Sequence, residues 1–509
     1  MTKNPITQSR QHDGGWLWVT TLVAMALVAR IVFLSTVSFF IDDAYITFRY
    51  ARNIISGLGF VYNTGQPVYG ASSPLHVLIA ALVDALLPES VLPQVMAWIG
   101  CLGLIGFVLA VWKVLPADGI SRTITAMLLL SYPRVFYSSI GGMEECVILF
   151  LMGLTVLAAL RRSQLWCGII CGILFVAKID SAAWIACLMV AATLQDKSFP
   201  WRAAAWALLV ALPWIIFSLF YFGSPLPHTI EAKRIAYAAM SSFSLLDAVK
   251  LTVPDAFKSN PWIVAIFGIF TYGTIALAIW RVIQKREWIY LAFPLYCVVY
   301  TLALFVSGVS AGLWTRWTVP LWGALIVSFG YALPMIIHRI RFLNELTVTP
   351  AITWGSLLVY CLLLATPLVY ENRRYLEVTS FRDVGIWLRD HASHSDSVIL
   401  EPIGLVGFLS GMRIHDFIGL VTPGVTDARS SSGLSNRWFA RYLHEAEPTF
   451  IVLRDLEVQR NEFLYGGYGD KVFTPEERKW FDSNYRETFR TTTGPDVDRL
   501  VLFRKLLQQ

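Results

Sequence analysis

The chain has 509 residues, of which 56% are hydrophobic and only 15% charged, with a formal net charge of +6. A soluble domain usually carries about 25% charged residues, so this composition excludes an ordinary soluble enzyme, and without a dense basic run it offers no nucleic-acid surface. The seven cysteines all lie within apolar runs and lay out no disulfide framework.

The apolar residues gather in runs of about 20, the length that crosses a hydrocarbon core of roughly 30 Å. The first run, Trp16 to Phe40, is too long for a signal-peptide core and no small-residue cleavage site follows it, so it reads as a retained span. Residues 40–91 then form an external loop. It opens with Asp42-Asp43 and continues as an amphipathic helix with Tyr45, Phe48, Ala51, Ile55 and Leu58 on one stripe and Arg49, Asn53 and Ser56 opposite. The acidic pair suits the N-cap of that helix; it also suits a general base in a partly dehydrated site. A turn-rich stretch, Gly57 to Pro74, leads into Pro74–Leu87, which is too short to span and reads as an interfacial or re-entrant helix.

With the span at 16–39, further spans are expected at 92–114, 123–139, 145–160, 164–178, 181–195, 203–222, 261–280, 288–308, 317–337 and 350–370, eleven in all. Lys178-Ile179-Asp180 interrupts the pair 164–178 and 181–195. Basic residues recur at every second exit: Lys113 and Arg122, Arg161 and Arg162, Lys197 and Arg202, Arg281, Lys285 and Arg286, then Arg339 and Arg341. By the positive-inside rule the N-terminus is cytoplasmic and the C-terminus lies outside. The expected class is therefore a polytopic α-helical membrane protein: a membrane domain over 1–370 and an extracytoplasmic α/β domain over 371–509. In that tail, Phe381–His391 has helical spacing, Ser397–Glu401 and Thr449–Leu453 read as strands, Glu476–Tyr485 as a polar helix and Arg499–Phe503 as a final strand.

The unusual polar residues all fall on the outer side. They are Asp42, Asp43, Glu144, Asp180, Lys178, Lys233, Arg234 and Arg316, the last between Trp314 and Trp317. Ionisable groups at such depths are costly and usually functional. Carboxylates and cations on one face suit a lipid-phosphate donor: the cations hold the leaving phosphate and a carboxylate takes the proton from the attacking hydroxyl. Trp314 and Trp317 can stack on Arg316 or on a sugar ring. His228 and the tail histidines show no metal-ligand spacing.

These segments resemble the GT-C superfamily of glycosyltransferases that use polyprenyl-phosphate sugars. Within it, they are similar to the terminal arabinofuranosyltransferases of mycobacterial cell walls. The likeness rests on Asp42 to Ile46, Phe48-Arg49-Tyr50, the Gly57 to Gly65 loop, Gly142-Met143-Glu144 and Tyr221 to Lys233, and extends to Gly404 to Gly407 and Asp416 to Leu420. The chain departs from the pattern at Gly70 to Pro74, at Lys178-Ile179-Asp180 and at Trp314-Thr315. The resemblance implies an inverting transfer at the outer face of the cytoplasmic membrane. The donor is a sugar such as D-arabinofuranose on decaprenyl or undecaprenyl phosphate, and the acceptor is a glycan or protein hydroxyl. Asp42 and Asp43 are then catalytic, Lys178, Lys233 and Arg316 bind the donor phosphate, and Tyr45, Arg49, Glu144, Asp180, His228 and Trp314 contact substrate. No cofactor is implied, and a divalent cation near the paired acids is left open. The competing readings are a polar-lipid transporter or flippase and a non-catalytic envelope-assembly protein; one-sided charges and a large outer domain favour the transferase.

Overall fold

A computed structural model of the protein describes residues 5–36, 40–237, 247, 249–250, 253, 258–307, 317–337, 339, 355, 358–364, 372–393, 395–432, 437–464, 471–493 and 498–506. Its membrane part comprises α1 (Pro5–Thr36), α2 (Asp42–Ile55), α3 (Pro74–Leu86), α4 (Leu92–Val114), α5 (Gly119–Ser131), α6 (Pro133–Ile140), α7 (Glu145–Leu160), α8 (Gln164–Ala177), α9 (Ala182–Asp196), α10 (Trp201–Phe222), α11 (His228–Ala236), α12 (Pro261–Lys285), α13 (Ala292–Ser307) and α14 (Val319–Ile337). Among the described residues six helices are long and apolar enough to cross a membrane, at Trp16–Ser35, Glu89–Val114, Trp201–Phe222, Pro261–Lys285, Trp288–Val306 and Val319–Ile337. Shorter apolar helices at Pro74–Leu86, Gly119–Ser131 and Gln164–Ala177 accompany them.

The largest difference from the expected spans is at 123–139, where two helices replace one. Pro133 has no N–H to continue α5 and forces Tyr132 into an extended conformation, with ψ 123°. The short α6 that follows then meets α7 at 107°, through Gly141 and Gly142, the latter with φ of +75°. Lys178, at φ −165° and ψ 128°, breaks the chain between α8 and α9. Of the expected span at 350–370, only 355 and 358–364 lie among the described residues.

One buried charge sits within α1. Arg30 is 1% exposed and donates to Ser139 Oγ at 2.9 Å, to the Leu130 carbonyl at 3.1 Å and to the Ala26 carbonyl at 3.1 Å. Its guanidinium also lies 4.5 Å from the centre of the Phe136 ring.

The C-terminal part contains α15 (Asn372–His391), β1 (Ser397–Leu400), α16 (Ile403–Ser410), β2 (Arg413–Asp416), α17 (Pro423–Ser432), α18 (Trp438–Ala446), β3 (Phe450–Arg454), α19 (Asp455–Arg460), α20 (Pro475–Asn484), β4 (Tyr485–Arg490) and β5 (Leu500–Lys505). The five strands form one sheet in the order β2-β1-β3-β5-β4. β1 runs parallel to β2 and β3, while β5 is antiparallel to β3 and β4. Side chains alternate across a strand, and the two faces serve different cores. Val398, Leu400, Ile414, Phe450 and Leu502 join a cluster with Phe48, Tyr50 and Phe60 of the segment 40–91. Ile399, Ile451, Val501 and Phe503 pack on the far side against Phe417, Phe439 and Phe473. The C-terminal part thus shares a hydrophobic core with the segment that follows the first span.

Candidate active site

The first turn of α2 carries Asp42 and Asp43. They are not its N-cap: Ile41 occupies that position and makes no side-chain cap bond. The two carboxylates occupy the first turn of the helix, where the helix dipole favours negative charge. Both line a cavity of about 250 Å³. Its floor comes from α2 and the loop that leads into α3, through Thr47, Gly70, Ser72 and Ser73; Glu144 closes one side and Thr229, Lys233 and Tyr237 another. Glu401, Ile403, Ile418 and Leu420 of the C-terminal part form the roof. Sequence reasoning placed Ser72, Ser73, Thr229, Ile418 and Leu420 within motif segments without giving them a role, and did not single out Thr47, Tyr237, Glu401 or Ile403. The signal that finds Thr229 and Tyr237 is their spacing of four from Lys233 along one helix stripe.

The two aspartates have different surroundings. Asp42 accepts the Gly404 N–H at Oδ2 (3.0 Å) and the Leu405 N–H at Oδ1 (2.8 Å), so its carboxyl holds the N-terminus of α16. Burial pushes the Asp42 carboxyl up to about 7, neighbouring Asp43 adds to the shift, and the Leu405 and Gly404 N–H groups oppose it. Gly404 permits this approach: a Cβ there would fall 2.5 Å from the Asp42 carbonyl carbon and 2.8 Å from Oδ2.

Glu144 and Lys178 form a buried ion pair at 2.7 Å. Lys233 Nζ stands 3.9 Å from the centre of the Trp317 ring, and Lys178 Nζ 6.0 Å from the same centre. One indole therefore groups two of the predicted phosphate-binding cations. Asp180 lies in the turn Ile179–Ser181 next to Lys178; it is exposed and is not among the residues that line the cavity. Ser73 is the N-cap of α3, but its hydroxyl makes no capping bond. The Oγ is buried without a hydrogen-bond partner among the described residues, and Ser73 is one of the residues that line the cavity.

Three predicted substrate contacts lie elsewhere. Tyr45 is buried among aromatic rings, 5.3 Å from Phe48 and 5.4 Å from Phe408 between centroids, because its spacing puts it on the core stripe. Arg49 is not on a solvated face but 6% exposed. It donates to the carbonyls of Tyr62 (2.9 Å), Gly407 (2.8 Å) and Met412 (2.5 Å) and lies over the Tyr62 ring, strapping the loop to the C-terminal part. Asn53 is buried too and donates to the Val61 carbonyl at 2.8 Å, while Ile55 and Leu58 at the end of the expected stripe are exposed. Asn63 extends the same joint, accepting from the Ile414 N–H at 3.0 Å and donating to the Ile414 carbonyl at 2.9 Å on edge strand β2. His228 bonds Thr426 Oγ1 at 3.2 Å and borders a different cavity. Trp314 and Arg316 lie outside the described residues.

Several solved structures share this architecture. The chain is similar to ArnT from Cupriavidus metallidurans in the apo state, with TM-score 0.54 and 14% identity over 96% of this chain and 97% of that one. The structure of ArnT bound to undecaprenyl phosphate gives the same values. Arabinofuranosyltransferase AftD from Mycobacteria aligns with TM-score 0.45 and 13% identity over 96% of this chain and 41% of that one. No curated protein matches the chain by sequence. The chain therefore shares the fold of these ArnT structures. Residues 73–308 match the model of Glycosyltransferase family 87, and residues 370–501 match a domain of unknown function, DUF8728.

Proposed function

We propose that the protein transfers a sugar from a polyprenyl-phosphate donor to a hydroxyl of an envelope glycan at the outer face of the cytoplasmic membrane, with D-arabinofuranose as the donor sugar. The observation that carries this reading is a single cavity that puts Asp43 and Lys233 together beneath a roof from the C-terminal part. Asp43 is the general base. Asp42, whose oxygens are engaged by the α16 backbone, positions the roof. Asp43 takes the proton from the acceptor hydroxyl as its oxygen attacks the anomeric carbon. The carbon–oxygen bond to phosphate breaks on the opposite face, so the configuration inverts, and the electron pair leaves on polyprenyl phosphate. Lys233, with Arg316, offsets the phosphate charge; no bound metal is part of the reading. ArnT bound to undecaprenyl phosphate supports the lipid carrier. Alternating basic exits support the orientation.

The test is release of polyprenyl phosphate by purified protein in lipid nanodiscs with polyprenyl-phosphoryl arabinofuranose and envelope glycan. General-base loss lowers rates by roughly 10²–10⁴-fold, so Asp43→Asn abolishes measurable transfer. Wild-type turnover by Asp43→Asn refutes the assignment.

A further inference from the structure

Helix α11 separates two cavities. Thr229 and Lys233 turn toward the site already described. His228, Glu231 and Arg234, spaced by three residues along the other stripe, border a second cavity of about 460 Å³, with Tyr69 and Phe222 in its wall and Pro423 of the outer domain at its edge. The volume falls within the roughly 300–1,000 Å³ range of ligand pockets. The two cavities are neighbours: Tyr69 lines the second and Gly70, the next residue, lines the first. The Tyr69 carbonyl also accepts the His228 N–H at 2.9 Å, fixing α11 to the loop.

We infer that this second cavity is a saccharide subsite, holding the acceptor chain beyond the sugar that reacts at Asp43; the inference rests on the transferase reading. Its platform is aromatic and rigid. The Tyr69 and Phe222 rings stack at 4.9 Å and 15°, and the Tyr69 hydroxyl accepts from Trp214 Nε1 at 2.8 Å. Tyr69 is itself buried and backs Phe222, so the partly exposed Phe222 ring is the surface on which the C–H face of a sugar ring packs. Glu231 and Arg234 are exposed, and neither makes a hydrogen bond or an ion pair among the described residues. A carboxylate and a guanidinium offer acceptors and five donors to hydroxyl groups. Together they carry no net charge, which suits a neutral polyol. A phosphate headgroup would meet the Glu231 carboxylate as a like charge. Pro423 places one wall in the C-terminal part.

The test uses the full chain in its native membrane. Glu231→p-benzoylphenylalanine is irradiated in cells, and adducts are identified by mass spectrometry. Trp206, exposed on the membrane helix α10, carries the same cross-linker as a control. The expected result is a saccharide-bearing adduct at 231 and lipid adducts alone at 206. Lipid alone, or no adduct, at 231 overturns the inference. A second arm measures kinetics of a Glu231→Gln, Arg234→Gln double variant with envelope glycan as acceptor probe. Loss of two charge-assisted hydrogen bonds raises the acceptor KM by about tenfold while the donor KM stays within about twofold; an unchanged acceptor KM overturns it. Normal polyprenyl phosphate release without a saccharide adduct sinks the second cavity alone. No release by the wild type sinks the transferase reading itself.

Discussion

Replacing Gly404 with alanine tests the joint between the outer domain and the acidic pair. The new Cβ would lie 2.5 Å from the Asp42 carbonyl carbon and 2.8 Å from its Oδ2. The nearest obstacles belong to backbone, which cannot swing aside, so α16 must withdraw from α2. Withdrawal breaks the bonds from Gly404 and Leu405 to the Asp42 carboxyl. At about pH 8, above the Asp42 value of about 7, the acceptor is charged and such hydrogen bonds contribute about 1.5–3 kcal/mol each, giving roughly 3–6 kcal/mol for the pair. At about 2–4 °C per kcal/mol for a domain of this size, the transition falls by on the order of 10 °C. Activity falls with it, because the roof residues Glu401, Ile403, Ile418 and Leu420 move away. Differential scanning fluorimetry in nanodiscs, run beside the transfer assay, reads both effects. Gly119→Ala is the control: nothing stands within 4 Å of its added Cβ, and both readouts should match wild type. A Gly404→Ala protein with an unchanged transition and full activity would refute the clamp.

Other substitutions separate roles within the cavity. Asp42→Asn lowers the thermal transition, since an amide presents its NH₂ to one of the two N–H donors, whereas Asp43→Asn leaves the transition in place and removes turnover; identical behaviour of the two variants contradicts the division. Burial also pushes Asp416 up to about 7, against the N–H groups of Ile418, Leu420 and Val421. Like Asp42, it is therefore protonated in the folded state over an interval where the unfolded chain, with an ordinary carboxyl value near 4, has released its proton. The folded state binds more protons between about pH 4 and 7, so these two groups make stability fall across that window and level off above it. Denaturation at stepped pH should show a shallower slope in Asp42→Asn, and an identical slope would count against the raised value. Lys178→Met leaves Glu144 buried without its 2.7 Å partner and costs about 3–5 kcal/mol. Adding Glu144→Gln should recover part of that loss in a double-mutant cycle, and strict additivity would show that the pair is not coupled.

What the sequence made legible follows from local periodicity and local chemistry. Long apolar runs give the helices that cross the membrane, and turn signals give α3 and the break at Lys178. β1, β3, β5, α15 and α20 of the outer domain appear near their observed places. The strand β2 went unseen because Arg413–Asp416 is only four residues long and takes its form from pairing with β1 and with Asn63. The break at Tyr132-Pro133 was visible as a proline, but hydropathy over a long window averages across it. In the candidate site, Asp42, Asp43, Glu144, Lys178 and Lys233 stood out because charge beside apolar sequence is rare. Arg49 misled for the opposite reason. Its helical position is polar, yet the surface facing it is an outer domain more than 350 residues later in the chain, and no local pattern reports such a contact. The roof residues Ile403, Ile418 and Leu420 are ordinary aliphatics whose role depends entirely on where α16 docks.

Arg30 has a consequence for biogenesis. A lone guanidinium at the centre of an inserting helix adds about 2.5–3.5 kcal/mol to the insertion free energy. Its partners, Leu130 and Ser139, are separated from it by 100 and 109 residues, so the ribosome has not yet made them when α1 reaches the translocon. Until then the side chain must snorkel toward the headgroups or borrow water and lipid phosphate. Full burial of that charge therefore waits on the helices that carry Leu130 and Ser139, α5 and α6.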